Sequence, residues 1–75
     1  MFEYGVGVAQ DYGEAVRHYR LAAAQGLATA QCNLGGMFEY GQGVAKDRAE
    51  AIRWYRLAAA QGDENAQGSL KRLGA

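Results

Sequence analysis

His18 is the sole histidine of this 75-residue chain, and Glu14 lies one helical turn before it. Side by side on a helix, such a pair could pass a proton. Cys32 is the sole cysteine. A nucleophilic thiol needs a histidine or another electropositive neighbour, and nothing in the spacing brings His18 to it. Gly5-x-Gly7 and Gly41-x-Gly43 resemble fragments of a phosphate loop, but they lack the preceding strand and the full fingerprint spacing, so they read as turns between helices. Asp11 and Asp47 could be paired carboxylates; each also stands three residues before a glutamate, Glu14 or Glu50, which is the spacing of a capping box. One cysteine supports neither a disulfide framework nor a multi-cysteine metal site. No nucleophile, base and orienting group are set out together, so the chain reads as non-enzymatic, with no cofactor and no small-molecule substrate.

The elements that would hold these residues are repeated. Residues 1–36 return as residues 37–72 without a gap, 23 of 36 positions being identical. Trp54 stands one period after His18, so the position takes either ring, as a packing or rim position does. Gly68 is the mate of Cys32. A fixed period of this length signals stacked helical pairs, each burying its apolar face against its neighbours. The predicted fold is all-α: an α/α superhelix, or solenoid, of antiparallel helix pairs with a 36-residue period. A truncated first unit covers 1–26, a complete second unit 27–62, and the start of a third 63–75.

Within a unit, two helices differ in type. The first, helix A, is predicted from about Ala28 to Tyr40, with Ala30, Leu34, Met37 and Phe38 apolar. A glycine-rich connection follows over Gly41–Asp47, with Val44 as its apolar anchor. Helix B then runs for about fourteen residues, its Ala51, Tyr55, Ala58 and Ala59 on one face. Ala15, Tyr19, Ala22 and Ala23 repeat that face after a corresponding loop at Gly5–Gly7 and a cap at Asp11. Gly26 and Gly62 stand where a left-handed cap is wanted. A third helix A is expected from about Glu64 to Leu73, capped by Asp63; ahead of the middle helix the matching residue is Leu27, so that cap is weaker or falls on Thr29. Small residues, Ala22, Ala23, Gly35, Ala58 and Ala59, let helix axes approach, and Tyr19, Phe38, Trp54 and Tyr55 fill the remaining space.

Composition narrows the function. Lys and Arg total 8 and Asp and Glu total 8, so the net charge is zero, which is no footprint for nucleic acid. Apolar runs are too short to span a membrane, and no signal peptide is visible, which leaves the compartment open. Many of the apolar residues are alanine and contribute little area, while arrays of this kind usually need about three units. The chain therefore reads as a piece of a longer array, or as a short array that pairs with something.

The series Ala30, Leu34, Gly35, Met37, Phe38, Gly41, Gly43, Val44, Asp47, Ala51, Trp54, Tyr55, Ala58, Ala59 and Gly62 resembles the Sel1-like repeat, a relative of the tetratricopeptide repeat, in order and spacing. The resemblance covers nearly the whole chain in two registers. Phe2 and Phe38 replace a usual tyrosine, His18 a tryptophan, and Gly13 and Gly68 stand inside helices. The resemblance implies adaptors that assemble protein complexes in signalling, secretion, envelope maintenance or protein quality control. Some cysteine-rich relatives, with a disulfide in every repeat, have been linked to binding or hydrolysing β-lactams; those cysteine pairs are absent here.

The expected function is a protein-interaction module that takes a peptide or helix of a partner on a curved surface. On the middle helix A, Thr29, Asn33, Gly36 and Tyr40 remain after core assignment, share a side, and form the candidate groove. A second candidate is the stripe Arg17, Arg20, Arg53 and Arg56, which an acidic partner could use, although Glu14 and Glu50 can pair with Arg17 and Arg53. The alternative is a structural spacer or self-assembling element that oligomerises through its open ends, Phe2 at one and Leu70 and Leu73 at the other.

Overall fold

A computed structural model describes the backbone of residues 5–75 and the side chains of residues 12–75. Four helices follow one another: α1 Gly5–Ala24, α2 Ala28–Tyr40, α3 Arg48–Ala60 and α4 Glu64–Leu73. Contacts run α1 to α2, α2 to α3 and α3 to α4. The hairpins are antiparallel. Late residues of α2 meet early residues of α3, as in the 2.9 Å bond from the Asp47 N–H to the Phe38 carbonyl. Early residues of α2 meet the end of α3, where Gln61 donates to Gln31 at 3.0 Å.

Local chemistry explains the boundaries. The Asp47 carboxylate accepts from the Glu50 N–H at 3.1 Å and Asp63 from the Ala66 N–H at 2.9 Å, each satisfying an orphan donor of the first turn. The capping box at Asp47 is half-made, because the Glu50 side chain turns to Arg53 at 2.7 Å instead. Ahead of α2 the N-cap is Leu27, with no side-chain cap bond, and Thr29 does not replace it. α2 ends on Gly41 at φ 69°, and the turn after α3 passes through Gly62 at φ 91°, conformations that cost a residue with a Cβ about 1–2 kcal/mol.

One expected loop is not present. The first unit was predicted to turn at Gly5–Gly7 and restart at Asp11, but α1 is continuous from Gly5 to Ala24. The second-unit loop is held from outside: a Cβ on Gly43 would stand 2.6 Å from the Tyr12 carbonyl and 3.0 Å from Val16, so the loop lies on α1. In the first unit the backbone instead satisfies its polar groups by remaining helical through Gly5 and Gly7. The Asp11 side chain, Phe2 and Met1–Tyr4 as a helix end lie outside what is described.

The core runs through all four helices, with Val16 and Ala23 of α1 joining residues of α2, α3 and α4. Leu34, Ala51, Ala58 and Ala66 are fully buried, and Tyr55 is 2% exposed. Val44 packs against this core from the loop. Gly35 sets the distance between α2 and α3: a Cβ there would lie 2.8 Å from the Tyr55 ring and 3.2 Å from the Ala51 carbonyl. The close approach is thus a packing requirement of α2 against one tyrosine.

Candidate functional site

α2 presents Asn33, Gly36 and Tyr40 to a cleft of about 390 Å³. Its opposite wall is α4, through Asn65 and Ser69, with Tyr19, Met37 and Gln42 closing the sides. Asn65 and Ser69 stand one period after Thr29 and Asn33, so the two helices contribute the same face of the repeat. Thr29 does not line this cleft. It opens on a second one, of about 490 Å³, with His18, Tyr19, Leu27 and Asn33. Asn33 and Tyr19 border both, and the row Thr29–Asn33–Gly36–Tyr40 runs through the pair of clefts. A Cβ on Gly36 would stand in ordinary contact with the Tyr55 hydroxyl, at 3.5 Å. Tyr40 is 59% exposed.

The first cleft carries three carboxamides, those of Asn33, Gln42 and Asn65, the Ser69 hydroxyl and three tyrosines, and no lysine, arginine, aspartate or glutamate in its lining. A carboxamide offers a donor and an acceptor side by side, the complement of a peptide unit. Uncharged partners with free backbone groups suit this lining better than phosphates or metals do. Among the described residues no cluster of three or more potential metal ligands occurs, and no helix is long and apolar enough to cross a membrane.

Behind the cleft lies a polar cluster around the buried Glu39 that sequence reasoning missed. Arg72 of α4 donates to both carboxylate oxygens of Glu39, at 2.6 and 3.0 Å. The Tyr55 hydroxyl donates to Glu39 at 2.7 Å. The Arg72 hydrogen bonds hold the Glu39 carboxyl below its ordinary range, against the opposing effect of burial. Burial first, and the Glu39 carboxylate second, push the Tyr55 hydroxyl far up. Glu39 and Tyr55 each recur one period earlier, as Glu3 and Tyr19, a signal that could have marked them. Arg72 carried no such signal, because its mate is Gly36.

A second missed feature recurs in both units. The buried Gln31 donates to the Ala23 carbonyl at 3.2 Å, and its mate Gln67 donates to the Ala59 carbonyl at 3.4 Å. Gln61 then bridges Gln31 and the Gly26 carbonyl. The Gln31 and Gln67 bonds each tie the start of a helix A to the end of the helix before it.

The four arginines of the stripe are all exposed. Arg17 pairs with Glu14 at 3.2 Å and Arg53 with Glu50 at 2.7 Å. Arg20 lies over the Phe38 ring at 5.5 Å, and Arg53 over Trp54 at 4.9 Å. Arg56 borders a shallow cleft with Ala49, Ile52 and Leu57. The stripe is thus largely engaged with its own chain.

The reactive-residue candidates separate. His18 reaches Glu14 at 3.5 Å, with a side chain 70% exposed, and borders the second cleft. Cys32 borders the first. Burial, with a smaller push from the Asp63 carboxylate, raises the Cys32 thiol, the opposite of what a nucleophile needs.

The family model described as Sel1 repeat matches residues 1–27 and 28–63. Comparison with curated proteins and with solved structures returns no match.

Proposed function

The chain belongs to the Sel1 repeat family, whose repeats generally mediate protein–protein interaction and are typically non-catalytic scaffolds, and we propose that it binds an extended peptide segment of a partner protein in the cleft between α2 and α4. The observation that carries this reading is the uncharged, carboxamide-bearing lining. Asn33 on α2 and Asn65 on α4 face one cleft from successive units, so a strand lying across the helices would meet a donor–acceptor pair at each. Packed helices hold these side chains before the partner arrives, which lowers the ordering cost of binding. Tyr40 supplies exposed aromatic area at the rim, the kind of residue that anchors interfaces.

Peptides selected against the folded chain from a random library test the reading. Asn33→Leu and Tyr40→Ala are expected to weaken the selected peptides about tenfold or more, since each removes a contact of about 1–3 kcal/mol, while helicity is unchanged. Peptides that bind both variants as tightly as the parent chain would place the interaction elsewhere. The arginine stripe is the stated competitor: peptides of high acidic content, lost on Arg56→Ala and Arg20→Ala but not on Asn33→Leu, would move the site to the outer face.

A further inference from the structure

We propose that the peptide taken by the cleft between α2 and α4 carries a glutamate whose side chain crosses Tyr40 and sets its carboxylate between Lys46 and Arg48. This rests on the peptide reading above and names the residue that would fix the register of the strand.

The recess that would take the glutamate shares a wall with the cleft. It has a volume of about 260 Å³ and is lined by Glu39, Tyr40, Lys46, Arg48 and Leu73. Tyr40 is also a wall of the first cleft, so the row Asn33–Gly36–Tyr40 leads into the recess. The cleft has no charged lining, whereas the recess presents two exposed cations, Lys46 and Arg48. Its one carboxylate is already engaged: Glu39 accepts from Arg72 through both oxygens and from the Tyr55 hydroxyl. Lys46 lies near enough to lower the Glu39 carboxyl further, after Arg72 and Tyr55. Glu39 and Arg72 cancel in charge, and Lys46 and Arg48 remain. Asp47, between them in the chain, caps α3 through the Glu50 N–H at 3.1 Å and does not line the recess.

Local structure places both cations. Gly41 turns the chain out of α2 at φ 69°, and a Cβ on it would stand 3.3 Å from the Lys46 Cβ, so the lysine stem rises beside the end of α2. Arg48 opens α3 and donates to the Leu73 carbonyl, a bond that steadies the guanidinium and uses only part of its donor set. Cations beside helix C-termini also offset the dipole, but the repeat does not require them here: one period earlier the residues are Gln10 and Tyr12. The half-buried Leu73 adds apolar surface next to the cations. A glutamate fits that combination, with its methylenes on Leu73 and its carboxylate on the cations, while its backbone continues between Asn33 and Asn65.

The probes are the tightest acetylated and amidated peptide selected against the folded chain, and the same peptide with each glutamate changed in turn to glutamine. One such change is expected to weaken binding about three- to fivefold in low salt, and the loss should shrink as salt is raised. Lys46→Gln in the protein should weaken the parent peptide by the same factor and leave the glutamine peptide unchanged. Selected peptides without a glutamate, or a glutamate effect that survives Lys46→Gln in full, would overturn the proposal. So would an unblocked peptide whose terminal carboxylate replaces the glutamate at full affinity, since the recess would then take a chain end. In each of these cases a loss of binding on Asn33→Leu would leave the cleft reading standing; peptides indifferent to both Asn33→Leu and Lys46→Gln would end both readings.

Discussion

Arg72 grips Glu39 with both guanidinium nitrogens, at 2.6 and 3.0 Å, across the junction between α2 and α4. Glu39 is 9% exposed, whereas half of the Arg72 side chain is open to water. The pair therefore fixes where α4 sits more than it adds net energy, because exposed partners are screened. Arg72 also occupies the repeat position that Gly36 leaves vacant one unit earlier, which is why the cleft between α2 and α4 and the clamp can lie side by side.

The clamp makes stability depend on acid. The Glu39 carboxyl is depressed from its ordinary value of 4.5, chiefly by Arg72. Folding thus favours the ionised form. The contribution is complete above the ordinary carboxylate value and is lost as pH falls through the lowered one. Urea denaturation across that range should show a shallower loss in Glu39→Gln than in the parent chain, and a cost near neutrality of about 1 kcal/mol after allowing for exposure. Parallel pH profiles for the two proteins would show that the clamp is not coupled to folding.

The glycines divide into those the backbone needs and those it does not. Gly62 has φ 91°, and a Cβ there would touch nothing, so Gly62→Val should cost about 1–2 kcal/mol through backbone strain alone. Gly13 and Gly68 lie inside α1 and α4 with open space around them. Replacing either by alanine should instead stabilise by about 0.5–1 kcal/mol, a Tm rise of about 3–6 °C. Thermal melts of the three variants check both signs.

Gln31 and Gln67 make the same bond in different surroundings. Gln31 is buried and also serves Gln61, while Gln67 is exposed. Gln31→Leu should destabilise by about 1–2 kcal/mol, by removing its bonds to the Ala23 carbonyl and Gln61 and leaving each with only its Gly26 partner. Gln67→Leu should change stability by less than about 0.5 kcal/mol. Equal costs in chemical denaturation would mean that burial does not control this bond.

Cys32 should be a slow thiol. Its pKa is raised, first by burial and then by the Asp63 carboxylate, so little thiolate is present near neutral pH. Alkylation of the folded chain should run several-fold slower than that of the urea-unfolded chain at the same pH. A rate equal to or above the unfolded one would refute the environment described for this residue.

Most of the architecture was legible because it is local and written twice. Asp47 and Asp63 cap helices wherever a carboxylate precedes three free N–H groups, and Gly41 and Gly62 stop them wherever φ must be positive. The faces of α2 and α3 follow from apolar spacing alone, and the bounds of α2 and α4 agree with expectation to the residue. The continuous α1 departed from it: helical backbone bonds run through Gly5 and Gly7, whereas the matching loop at Gly43 packs on Tyr12 and Val16.

The sequence by itself determined the period, the helix pairs, the family and the row from Thr29 to Tyr40, since each depends on spacing along one chain. Tertiary structure alone decided that this row spans two clefts, that Asn65 and Ser69 form the facing wall, and that Arg72 closes on Glu39. Those relations join residues about a full repeat apart, and no periodic signal can announce a contact whose two ends break the period. Gly36 and Arg72 occupy the same place in the repeat with opposite chemistry, and only packing shows that one borders a groove and the other seals a junction.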